Sequence, residues 1–169
     1  MAVTLTNAQV QLKVLLALDG GMDLSAAVDA LNRDYSQNFS QGTGANQANM
    51  IWHDQRTQSP SGTESLDLAA GLTSVFGASL TFTRVKALFV KAASGNTNSV
   101  QVTRPASNGV PFFMAAGDGV ALTPGAWACF VWPDATGIAV TPSTGDLITF
   151  TNSAGGTSVT YDIIVIGTV

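Results

Sequence analysis

The chain has 169 residues, of which 46% are apolar and only 11% charged, with a net charge of −4 and an isoelectric point of about 4.5. That length builds one domain with a real core, and an acidic chain with scattered basic residues argues against electrostatic binding to nucleic acid or an anionic membrane. Charged residues usually make up about 25% of a globular protein, so this surface is either covered by Ser, Thr, Asn, Gln and Gly or buried against other chains. Disorder does not account for the deficit, because disordered chains combine low hydrophobicity with high charge.

Taken in order, residues 3–18 alternate. Val10, Leu12, Val14 and Leu16 fall on one face and Gln9, Gln11 and Lys13 on the other, which predicts a strand ended by Asp19-Gly20-Gly21. The apolar run Val10 to Leu18 is interrupted by Lys13 and has no basic segment before it. It therefore reads neither as a classical export signal nor as a bilayer span, which needs about 20 residues; synthesis in the cytoplasm is expected. Leu24, Ala27, Val28, Leu31 and Tyr35 fall at helical spacing behind a candidate cap at Asp23, so a short helix is expected there. Residues 36–49 are polar and rich in glycine, the composition of a connector.

From Met50 the texture becomes that of short strands. They are expected at Met50 to Thr57, Glu64 to Leu68, Leu80 to Ala92, Val100 to Thr103, Phe112 to Ala115, Val120 to Leu122, Ala126 to Trp132, Gly137 to Val140, Leu147 to Asn152 and Ser158 to Ile166. In Leu80 to Ala92 the alternation changes phase near Thr83-Arg84, which a β-bulge explains. The apolar end of the last segment places it centrally in a sheet. Strands spaced by roughly 8–12 residues with no helix between them are the pattern of an antiparallel β-sandwich, and a barrel or jelly roll satisfies it equally. The expected fold is all-β, an antiparallel, jelly-roll-like sandwich over residues 46–169, preceded by an arm and connector over residues 1–45 that carries the short helix.

The candidate chemistry is concentrated in Gln47 to Asp67, which holds the only histidine and the only glutamate. His53-Asp54 lacks a nucleophile and an orienting partner, and neighbours on a strand point to opposite faces. His53, Asp54, Arg56 and Glu64 are instead expected to fix the junction of arm and sandwich by hydrogen bonds and ion pairs. The lone Cys129 lies in an apolar run and reads as a buried thiol; with His53 it matches no zinc spacing. Asp118 and Asp134 sit in turns, where aspartate bonds the local backbone. No cofactor is expected. Trp52, Phe112, Phe113, Trp127 and Trp132 are candidates for core or interface packing, with sugar stacking as the competing role. Trp127, Cys129 and Val131 alternate with Ala126, Ala128 and Phe130, so both faces of that strand are apolar and neither is expected to meet water.

Three stretches carry a resemblance. They are Asn46-Gln47-Ala48-Asn49-Met50-Ile51-Trp52-His53-Asp54-Gln55-Arg56-Thr57, then Leu66 to Thr73 continuing through Phe82-Thr83-Arg84-Val85-Lys86, and finally Gly145-Asp146-Leu147 with Asn152 to Ile163. Here the chain resembles a group of small virion-associated proteins encoded by tailed bacteriophages, from Asn46 to the last residue. The similarity implies a non-enzymatic role as a capsid decoration (cement) protein bound to the outer surface of the head. Its partners would be the major capsid protein and copies of itself, as a trimer or dimer. A fibre or spike module for receptor or carbohydrate binding is the alternative.

Overall fold

The computed structural model describes residues 4–21 and 25–169. Among these there is no helix. The strands in chain order are β1 (Ala8–Gly21), β2 (Ala26–Gln41), β3 (Gln47–Ala48), β4 (Met50–Gln58), β5 (Thr63–Asp67), β6 (Leu72–Thr73), β7 (Ser79–Leu80), β8 (Arg84–Ala92), β9 (Val100–Thr103), β10 (Gly119–Leu122), β11 (Trp127–Val131), β12 (Ile138–Ala139), β13 (Leu147–Asn152) and β14 (Val159–Thr168). Two antiparallel sheets form the body, in the orders β11-β8-β14-β4 and β10-β9-β13-β5, with β12 added to β8. As expected, β14 is central, flanked by β8 and β4.

Alternation along these strands sends one set of side chains inward from each sheet. Leu88 and Val90 on β8 and Ile163 and Val165 on β14 meet Val100, Val102, Ile148 and Phe150 from the other sheet in one buried cluster. Phe150 stacks on Tyr161 with ring centroids 4.6 Å apart, joining β13 to β14 across the layers. Each fully buried side chain of this size contributes about 1.5–3 kcal/mol. The body is thus a sandwich-like pair of sheets around a single core.

The N-terminal segment differs from the expectation. No helix forms where Val28, Leu31 and Tyr35 suggested one; β2 runs through them, and the expected cap at Asp23 and first turn at Leu24 lie outside the described residues. β1 and β2 pair antiparallel from Ala8↔Phe39 to Gly21↔Ala26. The spacing from Leu31 to Tyr35 to Phe39 suits a helix, but an even step also keeps residues on one face of a strand. Cross-strand partners decide between them, because Leu31 pairs Leu16 and Tyr35 pairs Leu12. The expected connector is likewise shorter, since β2 continues to Gln41 and β3 pairs parallel to its end. A tight turn links them, with Ser40 N donating to Asn46 O (3.1 Å) and Gly42 N to Ala48 O (3.1 Å).

Two further differences lie in the body. Phe112 to Ala115 is not a strand but a turn segment, held by Arg104 Nη1 donating to the carbonyls of Phe113 (3.0 Å) and Met114 (3.1 Å). The expected strand Leu80 to Ala92 is interrupted at residues 81–83, and the phase change falls at Lys86 rather than at Thr83-Arg84. Ile166 pairs Ala87 while Gly167 pairs Val85, leaving Lys86 as the extra residue of a bulge. Gly167 is required there, because a Cβ would stand 2.2 Å from the Arg84 carbonyl oxygen.

Candidate interaction surface

Of the four residues expected to act together, Asp54, Arg56 and Glu64 converge and His53 does not. Arg56 Nη1 donates to Asp54 Oδ2 at 2.8 Å and Arg56 Nε donates to Glu64 Oε1 at 3.0 Å. The buried Tyr161 hydroxyl also donates to Glu64 Oε1. Because β4 ends one sheet and β5 ends the other, Arg56 and Glu64 join the two edge strands. Burial raises the Glu64 carboxyl, but the hydrogen bonds from Arg56 and Tyr161 and the Arg56 charge together outweigh it and hold the group below its ordinary value. Burial, then the bond to Glu64, pushes the Tyr161 phenol well up. His53 points outward, exposed, beside Leu5 and Phe76, and takes part in no ion pair among the described residues. These groups have the geometry of an inter-sheet clamp with no nucleophile at its centre.

The root of the arm is fixed elsewhere. Ala8, Phe39 and Ala48 are buried against Ala87 and Ile166 on the outer face of the β11-β8-β14-β4 sheet, with Val10, Val131 and Ile164 packed around them. Lys86 secures the adjoining loops. Its side chain is fully buried, and Nζ donates to the carbonyls of Ala135 (3.0 Å), Asp134 and Gly44 (3.3 Å). Asn46 N also donates to Pro133 O at 2.7 Å. The bulge turns Lys86 into this cage of carbonyls, a role that its place in an apolar strand pattern concealed.

The aromatic candidates separate into three groups. Trp52 is in the core. Phe112 stacks on Trp132 at 5.5 Å and Phe113 meets Phe130 edge-on at 6.0 Å, closing the core beside the 112–115 turn. Trp127 is 51% exposed, on the outer face with Phe89 6.1 Å away, so this face of β11 does meet water, contrary to the expectation from its apolar pattern. Cys129 lies on that face too, partly buried, and burial raises its thiol pKa.

The outer sheet face and the arm adjoin, and both expose large apolar side chains. One face of the hairpin carries Val10, Leu12, Val14, Leu16 and Leu18 from β1 with Leu31, Tyr35 and Phe39 from β2, which alternate there with Asp29, Arg33 and Gln37; the other carries Gln9, Gln11, Lys13, Asn32, Asp34 and Asn38, with Leu15 and Val28 among them. The apolar stripe begins buried at Phe39 and then leaves the body, since Tyr35 is 63% exposed, Leu16 54% and Leu18 66%. Between the arm and the sheet lies an open groove of about 660 Å³, walled by Leu12 and Tyr35 on one side and Phe89, Trp127, Cys129 and Val131 on the other, with Lys13 and Lys91 at its border. Exposed apolar surface on this scale is unusual for a monomeric protein.

No family model, curated protein or solved structure matches the chain.

Proposed function

We propose that this is a non-enzymatic structural protein of a tailed-phage virion, a capsid decoration protein that binds the outer head surface and uses its hairpin arm to hold neighbouring subunits. The observation that carries this reading is the amphipathic hairpin, whose apolar stripe runs off the body without cover. A two-stranded hairpin is at best marginally stable alone in water, and one presenting leucines to solvent invites a partner. At about 3.3 Å per residue, β1 is roughly 45 Å long and its part beyond the buried root roughly 25 Å, enough to reach onto an adjacent subunit. Contacts made at both the arm and the body would add avidity without one strong site. The low charge content suits the same role, because interface cores are depleted in charge.

The reading extends to the fold as a jelly roll. Taking the eight strands of the two main sheets in chain order, the first pairs the last (β4 with β14) and the second the seventh (β5 with β13). The third pairs the sixth (β8 with β11) and the fourth the fifth (β9 with β10). An antiparallel ribbon wrapped around a core gives this order, and such folds recur in viral capsid and lectin domains. The resemblance of Asn46 to Thr57 to phage virion proteins points the same way.

Gold-labelled antibody against the chain, applied to intact particles from cells carrying its gene, tests the proposal. Label distributed over the head is expected; particles without label contradict it. The fibre or spike reading is favoured by one observation, the half-exposed Trp127 beside Phe89, a platform on which a sugar ring could stack. Label confined to the tail, with glycan binding lost in Trp127→Ala, would decide for that alternative.

A further inference from the structure

We infer that the groove between arm and sheet receives the arm of a second copy of this chain, so that the protein self-associates by reciprocal arm exchange. Three features of the surface argue for that occupant. First, the apolar stripe is continuous with a contact the chain already makes: Phe39 and Val10 pack against Ala87, Ile166, Val131 and Ile164 on the outer sheet face. The same stripe, continuing through Leu16, Leu18 and Leu31, suits the remainder of such a face. Second, the remainder is present and incompletely covered, as Phe89, Trp127 and Cys129 line the groove. Third, both surfaces belong to one chain, so a two-fold axis satisfies both at once, each arm filling the other copy's groove.

Size and charge agree. The free part of the hairpin is roughly 10 Å wide and 25 Å long. Two exchanged arms, counted on both contacting surfaces, cover on the order of 1,000 Å² before side-chain relief is added, approaching the range of about 1,200–2,000 Å² for stable complexes. The stripe itself carries few charges: between Leu12 and Leu18 on β1 it has none, and the charged register positions Arg33 and Asp29 lie on β2. Lys13 and Asp34 are register partners on the opposite face; Lys13 and Lys91 also border the groove, where their stems can lie along apolar surface while the ammonium groups reach water.

The inference rests on the arm being an interaction element, as in the virion proposal, but it is tested in solution without any particle. Light scattering on the purified full-length protein is expected to give a mass of twice the 17.4 kDa chain. Leu16→Glu with Leu18→Glu is expected to weaken the dimer at least 100-fold and leave the circular dichroism of the body unchanged. Since Cys129 is the only cysteine, Leu18→Cys provides a direct test. Mild oxidation or a short bismaleimide should give a covalent dimer, which is lost when Cys129→Ser is added. A monomer at 100 μM overturns the inference, as does a dimer unaffected by the double glutamate variant. Persistent cross-linking of Leu18→Cys in the Cys129→Ser background would also overturn it, because the arms would then pair tip to tip. A monomer that still labels heads would remove arm exchange and leave the virion proposal standing.

Discussion

Glu64 receives donors from two strands, Arg56 on β4 and Tyr161 on β14, and this sets the sign of its pH response. A carboxyl held below its unfolded value stabilises the fold above that value, and the contribution disappears as pH falls through the folded value. The melting temperature should therefore drop as pH is lowered below the unfolded value of 4.5, and thermal melts of Glu64→Gln should show a shallower drop over the same window. At pH 7 the Glu64→Gln change should cost about 0.5–1 kcal/mol, the scale of a partly exposed ion pair. Tyr161→Phe should cost about 1–2 kcal/mol in urea unfolding, because it removes a buried donor to a charged acceptor. Lys86→Met is the most damaging of the single substitutions considered. It leaves three carbonyls around a buried side chain without their donor, and a loss of about 2–4 kcal/mol in the same experiment is expected. The convergence of Asp54, Arg56 and Glu64 was legible as a cluster of rare charges on neighbouring strands. Tyr161 and Lys86 were not, because each sits in an apolar run whose partners are distant in sequence.

At the scale of elements, the hairpin has two parts that differ in their dependence on the body. Replacing Gln11 to Ser36 by a two-residue Asn-Gly turn should shift the melting temperature little, since the described residues of that range lie outside both buried clusters. Deleting residues 2–45 should cost more, because it removes Phe39, whose burial contributes about 1.5–3 kcal/mol, and uncovers Ala87 and Ile166. The sandwich is still expected to fold, as its core is formed from Trp52 onward, while self-association and head binding are lost. Unfolding of that truncated chain, followed by circular dichroism, would contradict the division into arm and body. β1 was readable from its alternation, which needed only local information. β2 was misread because a four-residue spacing fits both periodicities, and only pairing with β1 separates them. The bulge was sensed as a phase change, but its position depended on β14, more than seventy residues away.

For the whole molecule, low charge, two apolar sheet faces and an uncovered hairpin are the features on which the virion proposal rests. The two apolar faces of β11 were visible in Trp127 to Val131, and they became the inner wall of the core and the floor of the groove. The groove itself was not visible, because it depends on where the arm lies over the sheet, which leaves no periodicity in the sequence. A three-dimensional reconstruction of the intact particle by electron cryo-microscopy tests the central claim most directly. The sandwich should appear on the outer surface of the head lattice, with the apolar stripe from Leu12 to Leu18 covered by a neighbouring subunit. A particle lacking the protein, or one carrying it with that stripe facing solvent, would contradict the account.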